Sequence, residues 1–265
     1  MNPYSVEPTT NHDLAPDDVI SNGSGIEFHP DGRSVSSGNA TAWYGKGFEH
    51  FKANAGTWIG MVLVFAVITL VLNIIPLIGG LIMNILFPVF FGGFMLACHA
   101  YDQGKPVQFD ALFEGFKDKF GSLAILGLIW MIIGLVIFAI FGVLAAVFVG
   151  GAFVSGAMTG SAGLMGLGIG MIFLFLVVGL LVGIPLMMAI WLAPALVVFH
   201  NVAPLDALTK SFKASLKNFG AYLIFFILYF VFSILATIPL GLGWFVWGPT
   251  LIAAMYCAYR DIFTS

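Results

Sequence analysis

Three long stretches of this chain carry no charged residue: residues 53–101, 120–205 and 218–259 contain no Asp, Glu, Lys or Arg. A helix crosses a lipid bilayer with about 20 consecutive apolar residues, so each stretch is long enough for two crossings. Over the whole chain, 60% of residues are hydrophobic and 9% are charged, whereas roughly a quarter of a soluble domain is charged. These features predict an all-α, polytopic membrane protein.

The positions of the basic residues predict the topology. All ten Lys and Arg residues lie outside the three uncharged stretches, and the positive-inside rule assigns such flanks to the cytoplasm. Each stretch must then cross the membrane an even number of times, and its length selects two. We therefore expect a bundle of six transmembrane helices, built as three hairpins, with both termini in the cytoplasm. With Gly and Pro as boundaries, the helices are placed at 57–76, 80–101, 122–149, 169–199, 221–239 and 243–260.

The middle hairpin has the least regular sequence. A Gly-rich loop is predicted from Gly150 to Gly170, because the glycines there are too crowded for a role in close helix packing to be favoured. The fourth predicted helix is long for a bilayer, and Pro185 and Pro194 are expected to kink it or to leave its end outside the membrane. The glycine pairs at helix-packing spacing are Gly156 with Gly160 and Gly166 with Gly170.

The first 43 residues differ in composition from the rest. They are rich in Pro, Gly, Ser, Asn and Asp, and they hold six acidic residues against a single basic one, Arg33. This composition predicts a disordered, acidic, cytoplasmic tail, with a solvated tail favoured over a docking segment for a partner. No basic region precedes an apolar stretch, so no signal peptide is predicted. Residues 44–265 are predicted to form the transmembrane domain.

Two linkers between the uncharged stretches are predicted to form amphipathic helices at the cytoplasmic membrane surface. The second carries Lys210, Lys213 and Lys217, opposed only by Asp206. Contact with anionic lipid headgroups explains these lysines, and a simple topology signal explains them equally well. The apolar residues at helical spacing are Phe109, Leu112, Phe113, Phe116 and Phe120 in the first linker, and Leu205, Leu208, Phe212, Leu216 and Phe219 in the second.

Short phrases recur at constant spacing, which predicts an internal repeat. Asp110-Ala111-Leu112 with Phe116-Lys117 matches Asp206-Ala207-Leu208 with Phe212-Lys213, and Lys46, Phe48, Asn54, Gly56 and Ile75-Pro76 match Lys210, Phe212, Asn218, Gly220 and Ile238-Pro239. Each repeat contains a surface helix and two crossings, so the copies share one orientation. Inverted-repeat transporters are therefore disfavoured, while parallel-repeat transporters stay open.

Catalytic chemistry is not predicted from this sequence. No nucleophile, zinc-protease, Walker or dinucleotide motif occurs, so no catalytic, cofactor or metal-binding residue is proposed. The nearest acid-base or metal pairs are Glu49-His50 and Cys98-His99, and neither has a second partner at ligand spacing. His200 is expected at the level of the lipid headgroups. The net charge of −3 provides no basic field for nucleic acid.

Four phrases of the chain carry a resemblance to known proteins: Gly47-Phe48 through Asn54-Ala55-Gly56-Thr57-Trp58, then Ala193 to Val197, Ala203 to Ala207, and Tyr259 to Phe263. On these, the region from Lys46 to Phe263 resembles an uncharacterised family of proteobacterial inner-membrane proteins. It is similar to the YciC-like group and to the membrane domain of some glycerophosphodiester phosphodiesterases. The resemblance implies a bacterial inner-membrane location and six helices, and it carries over no catalytic residue.

Three classes of function follow from these observations. The favoured one is a non-catalytic inner-membrane protein that associates with lipid, with itself as a homo-oligomer, or with another envelope protein. The second is a transporter or channel for an apolar or lipid-like solute, in which Gly and Pro breaks expose backbone groups inside the bundle. The third and least favoured is a membrane enzyme that uses Glu49, His50, His99 or His200.

Overall fold

The structure, a computed structural model, describes residues 20–21 and 27–265. The described part of the chain is helical, apart from two short antiparallel strands, β1 (Ile20–Ser21) and β2 (Glu27–Phe28). The predicted all-α class is therefore confirmed. The helices are α1 (Asn39–Ala53), α2 (Ala55–Asn73), α3 (Ile78–Asp102), a 3₁₀ helix (Phe109–Phe116), α4 (Phe120–Ala145), a π-helical turn (Ala146–Gly150), α5 (Gly151–Thr159), α6 (Ala162–Trp191), α7 (Ala193–His200), α8 (Pro204–Lys217), α9 (Phe219–Thr237) and α10 (Trp244–Phe263).

Five helical stretches of the described residues are long and apolar enough to cross a membrane: Ala55–Asn73, Ile78–Asp102, Phe120–Thr159, Ala162–His200 and Phe219–Thr237. The sixth predicted span, 243–260, is also a helix, α10, but it is not among the five. The reason lies in its sequence, which ends in Arg260-Asp261 and contains several aromatic and small residues that are buried in the protein. The count of six spans therefore stays a prediction.

The chain divides into two compact units. Unit 1 comprises the residues up to Leu128 and those from Met188 onward, and unit 2 comprises Ile129–Met187. Within unit 1, α10 packs against α1, α2, α3 and α9. The crossing of α1 over α10 is close, because a Cβ atom on Gly47 would lie 2.6 Å from the main-chain oxygen of Thr250. Only glycine allows the two helices to approach this closely.

The first surface linker folds differently from the prediction. It forms a 3₁₀ helix over Phe109–Phe116 instead of an α-helix, and Phe120 already belongs to α4. This helix lies directly on α3, since a Cβ on Gly115 would overlap the carbonyl oxygen of Val89. Residues 111, 112, 114 and 115 of this helix are buried, whereas the side chains of Phe109 and Phe113 are exposed.

The Gly-rich stretch of unit 2 is helical, and the predicted loop over 150–170 is wrong. The chain is helical up to Thr159 and again from Ala162, so the turn is confined to Gly160 and Ser161. Gly160 adopts the left-handed conformation with a φ of 68°, and its N–H bonds the carbonyl of Gly156. A glycine inside a helix costs only about 1 kcal/mol relative to alanine, which the long apolar helices tolerate.

The two apolar helical stretches that meet at this turn are unusually long. Phe120–Thr159 contains 40 residues and Ala162–His200 contains 39. At 1.5 Å per residue, each would extend about 60 Å if straight, which is about twice the thickness of a bilayer core. In unit 2 the two arms pack on each other locally, because a Cβ on Gly168 would lie 2.9 Å from the ring of Phe153.

The second stretch is interrupted at Leu192, between α6 and α7, as Pro194 in the first turn of α7 predicts. Pro185, in contrast, lies inside α6, which continues around it. The backbone groups freed at the break are bonded by α8: Ser211 Oγ accepts from the N–H of Leu192 at 3.0 Å and donates to the carbonyl of Met188 at 2.8 Å. The break is thus closed by a neighbouring helix.

The predicted disordered tail, residues 1–43, falls partly outside the described residues, which leave out 1–19 and 22–26. From Glu27 onward the prediction is wrong. Residues 27–37, which we call the strap, lie against unit 1 and pair with the C-terminus, and α1 begins at Asn39. The strap is held by main-chain hydrogen bonds, which any sequence can form. Composition therefore could not reveal that these residues are ordered.

Candidate functional site

The carboxylate of Asp102, at the end of α3, joins three helices of unit 1. Its Oδ1 accepts a hydrogen bond from His50 Nε2 of α1 at 3.2 Å. Its Oδ2 accepts from Arg260 Nη1 at 2.9 Å and from the Tyr256 hydroxyl at 3.2 Å, both on α10. Together with His99, these residues form what we call the Asp102 cluster. Both carboxylate oxygens are therefore occupied by side chains of the protein.

Hydrogen bonds extend the cluster on both sides. His99 Nδ1 lies 3.2 Å from the Tyr256 hydroxyl, and His99 Nε2 lies 2.8 Å from Nε2 of Gln103. On the other side, Arg260 Nε donates to Oγ1 of Thr264 at 3.2 Å. The cluster thus connects the end of α3 to the end of α10 through several bonds.

The burial of His50 limits what this cluster can do chemically. His50 is 5% exposed, and its Nδ1 is enclosed without a hydrogen-bond partner. An Asp-oriented imidazole acts as a general base through its second nitrogen, which must reach a substrate. Because that nitrogen is enclosed here, the arrangement favours a structural tie between helices over acid-base catalysis.

The structure separates the pairs that the sequence suggested. Glu49 is exposed, and the partner of His50 is Asp102 instead. Cys98 is buried and free, and so is Cys257. Within the described ranges, no three His, Cys, Asp or Glu side chains come together in a way that could hold a metal ion.

Sequence reasoning missed Asp102, Tyr256 and Arg260. A signal was nevertheless present, because Asp102 and Arg260 are opposite charges placed directly at the ends of two uncharged stretches. If both helices end at the same membrane surface, these two opposite charges lie at that surface and can form an ion pair. Nothing in the spacing identified Tyr256.

His200 lies in the interior of unit 1, and its level relative to the lipid headgroups stays a prediction. Its Nε2 lies 2.6 Å from the hydroxyl of Tyr259, and the ring of Phe28 from the strap stacks on it at 3.6 Å between centroids. The strap covers this part of unit 1, although residues 1–43 were predicted to be a disordered tail. Stacking against the strap removes His200 from solvent.

Helix α8 faces the protein with its small residues. Its buried side chains are Ala207, Leu208, Ser211, Ala214 and Ser215. Of the apolar residues predicted to lie on one side, Leu208 is buried, whereas Leu205 is 64% exposed and Leu216 is 57% exposed. Small side chains allow α8 to pack closely on the bundle. Large apolar side chains such as Leu205 and Leu216 lie on the outward side of the helix.

The three lysines of α8 have different surroundings. Lys217 Nζ donates to the main-chain oxygen of Gly32 at 2.7 Å, and Lys210 Nζ donates to that of Pro30 at 3.4 Å. Both acceptors belong to the strap. Lys213 is exposed on the surface of the helix. The prediction that these lysines contact lipid headgroups stays a prediction.

Two lysines of the first surface linker are bonded to side chains of the protein. Lys117 Nζ lies 2.5 Å from Oε1 of Glu114, and this hydrogen bond raises the pKa of Lys117. Lys119 donates to Oδ1 of Asn201 at the end of α7, and its burial lowers the pKa of Lys119. The Lys119 bond ties the linker to the end of α7, and the two bonds engage both ammonium groups.

Comparison with known proteins places the chain among membrane proteins. No family model matches the chain, and no solved structure matches it. A protein of Burkholderia thailandensis named "Probable inner membrane protein" is 26% identical over 211 residues, which cover 76% of this chain and 75% of that protein. With the five apolar helical stretches, this similarity supports a multi-pass inner-membrane protein of an uncharacterised proteobacterial type. Similarity to the YciC-like group and to phosphodiesterase membrane domains stays a prediction.

Proposed function

We propose that this multi-pass protein is a non-catalytic component of the bacterial inner membrane that acts by association, first of all with lipid. The observation that carries the proposal is the surface of α8 in unit 1. Its outward side combines exposed Leu205 and Leu216 with the exposed cation Lys213. Apolar side chains flanked by lysines are typical of helices that lie at an anionic membrane surface.

The same proposal also covers association of this protein with a second copy of itself or with an envelope partner. The most apolar 18-residue window of Phe120–Thr159 has 0% of its residues buried, and that of Ala162–His200 has 6%. Such surfaces require lipid or protein around them.

The proposed topology has six spans, with α10 as the sixth and both termini in the cytoplasm. Its support is the distribution of charge, since all ten Lys and Arg residues lie outside the three uncharged stretches. The lower hydropathy of α10 agrees with its position, because its side chains are largely covered by α1, α2, α3 and α9.

An internal repeat is part of the proposal. The pair α1–α2 resembles α8–α9: each has a short helix, an Asn cap at Asn54 or Asn218, and a following helix of 19 residues. Each second helix is followed by an Ile-Pro-Leu phrase whose leucine, Leu77 or Leu240, has a positive φ. These shared local features support a common origin of the two helix pairs.

Lipid retention tests the proposed function. We expect the full chain, extracted in mild detergent, to keep bound anionic lipid in native mass spectrometry. Lys213→Gln should reduce the retained anionic lipid, whereas Asp206→Asn on the same helix should maintain or increase it, because it removes the opposing charge. A clean monomer without lipid or protein partner would overturn the proposal.

Transport of an apolar or lipid-like solute is the second candidate. An open groove of about 510 Å³ runs along α9 and the start of α10, and it contains polar Ser233 and Thr237 among apolar side chains. Against this, the backbone groups at the helix break are bonded by Ser211 and are not free for a solute. Reconstituted vesicles without flux or lipid scrambling would remove this candidate.

A catalytic role is the least favoured of the three candidates. Joint replacement of Glu49, His50, His99 and His200 tests it: a folded variant that keeps every measurable phenotype is expected. Loss of a phenotype in a variant that retains its stability and its lipid would contradict this expectation.

A further inference from the structure

The strap, residues 27–37, binds two of the three lysines of α8 through main-chain carbonyl oxygens. Lys217 Nζ lies 2.7 Å from the oxygen of Gly32, and Lys210 Nζ lies 3.4 Å from that of Pro30. An ammonium group that binds a carbonyl oxygen can bind a phosphate oxygen in the same way, with the added attraction of opposite charges. The carbonyls therefore occupy two positions suited to phosphate.

We propose that Lys210 and Lys217 form a binding site for the phosphates of anionic lipid headgroups, and that the strap competes with lipid for it. The inference rests on the proposed association with lipid and adds its regulation. With the strap in place, the ammonium groups of Lys210 and Lys217 are bonded to strap carbonyls, while Lys213 is exposed on the helix surface. With the strap released, all three ammonium groups face the membrane surface.

The geometry of α8 supports a lipid site at this position. At about 100° per residue, Lys210, Lys213 and Lys217 fall on one flank of the helix. This flank separates the buried side of small residues from the outward side, where Leu205 and Leu216 are exposed. Lysines beside an apolar side that enters the membrane reach the headgroups with their flexible side chains.

The strap is held by bonds that can be exchanged. Its main chain pairs with the C-terminus, where Glu27 and Ser265 exchange N–H···O bonds of 3.2 and 3.1 Å, and His29 N donates to Phe263 O at 2.8 Å. Arg33 Nη2 lies 3.0 Å from Oδ1 of Asp261 in an ion pair that is partly exposed. Exposed ion pairs contribute little to stability and are screened by salt, so this ion pair adds little to the main-chain hydrogen bonds that hold the strap.

Gly32 is a position at which the strap fits closely against α8 and α10. It is buried with a φ of 65°, and a Cβ atom there would lie 2.9 Å from Ala214 Cβ and 3.1 Å from Ile262 Cγ2. Gly32→Val should therefore displace the strap from α8. Gly104→Val is the matched control, because Gly104 also has a positive φ, of 71°, but has open space around its Cβ position.

The test measures the affinity of the full, detergent-solubilised chain for a short-chain phosphatidylglycerol, with the matching phosphatidylcholine as the neutral probe. Two additional lysines at an anionic headgroup correspond to about thirtyfold in affinity. We expect Gly32→Val to bind phosphatidylglycerol about thirtyfold more tightly than the wild type. Its affinity for phosphatidylcholine should not change, and Lys210→Gln with Lys217→Gln should abolish the gain.

A disulfide lock provides a second variant that keeps the strap in place. Residues that exchange both main-chain bonds in an antiparallel pair have Cα atoms about 5.5 Å apart, which suits a disulfide. Glu27→Cys with Ser265→Cys is such a pair, and the native Cys98 and Cys257 are buried. We expect oxidation to prevent the gain in affinity caused by Gly32→Val, and reduction to restore it.

Two outcomes separate this inference from the proposed function. If trypsin cleavage at Arg33 shows that Gly32→Val has released the strap, yet phosphatidylglycerol binds as in the wild type, the competition is overturned while lipid association stands. If no variant prefers phosphatidylglycerol to phosphatidylcholine, the anionic lipid site and its proposed function both fail.

Discussion

His50 of α1 donates a hydrogen bond from Nε2 to Oδ1 of Asp102, the last residue of α3, at 3.2 Å. The same carboxylate binds Arg260 of α10 at 2.9 Å. Three helices that are far apart in the sequence are thus fixed to one another by a single side chain. This role makes Asp102 the most informative residue to replace.

Asp102→Asn should lower the free energy of unfolding by about 1–2 kcal/mol, because it removes the anion shared by His50 and Arg260. The loss in stability is small because the side chain of Asp102 is about one-third exposed, and solvent screens its ion pairs. Thermal unfolding in detergent measures the change. Asp110→Asn, at an exposed position on the 3₁₀ helix, is the control and should have little effect. Equal stability of the two variants would show that the Asp102 cluster is not a structural tie.

Ser211→Ala should destabilise the protein by about 1–3 kcal/mol, because it leaves the Leu192 N–H at the helix break buried without its partner. Ser215→Ala should cost less, since Ser211 still bonds the carbonyl of Met188. Thr209→Ala is the control, because Thr209 is exposed and bonds only its own helix at Leu205. Unfolding by denaturant in mixed micelles gives the ranking. If Ser211→Ala proved no worse than Thr209→Ala, the proposed closure of the break would be wrong.

Gly47→Ala should destabilise the crossing of α1 over α10 by about 1–3 kcal/mol, since the new Cβ meets the main chain at Thr250. Gly45→Ala on the same helix has open space around it. It should be neutral or should stabilise the protein by up to about 1 kcal/mol through helix propensity. In thermal unfolding, we expect Gly47→Ala to lower the melting temperature and Gly45→Ala to leave it unchanged or raise it. Equal destabilisation by the two substitutions would contradict the crossing.

Reporter fusions test the topology. A reporter that is active only outside the cytoplasm should be active when fused at Gly160, the turn of unit 2, and inactive after Ser265. A fluorescent reporter that folds in the cytoplasm should show the reverse pattern. A cytoplasmic Gly160 would overturn the assignment of the flanks and, with it, the count of six spans.

The helices that sequence placed best lie in the first and third uncharged stretches. The predicted spans at 57–76, 80–101 and 221–239 correspond to α2, α3 and α9 to within a few residues. The prediction failed where glycine was taken as a boundary, in the helices around Gly160. Glycine breaks a helix in water more readily than in a long apolar segment, where unpaired backbone groups are costly.

The sequence by itself determined that this chain is helical and belongs in a membrane, because the exclusion of charge from long stretches is a local property that no folding partner can change. The tertiary structure decided which side of α8 packs inward, which partner His50 has, and that the residues from Glu27 are bound to unit 1. Those outcomes depend on how closely small residues let helices approach and on which distant groups then meet, and neither can be read from the spacing of residues along one chain.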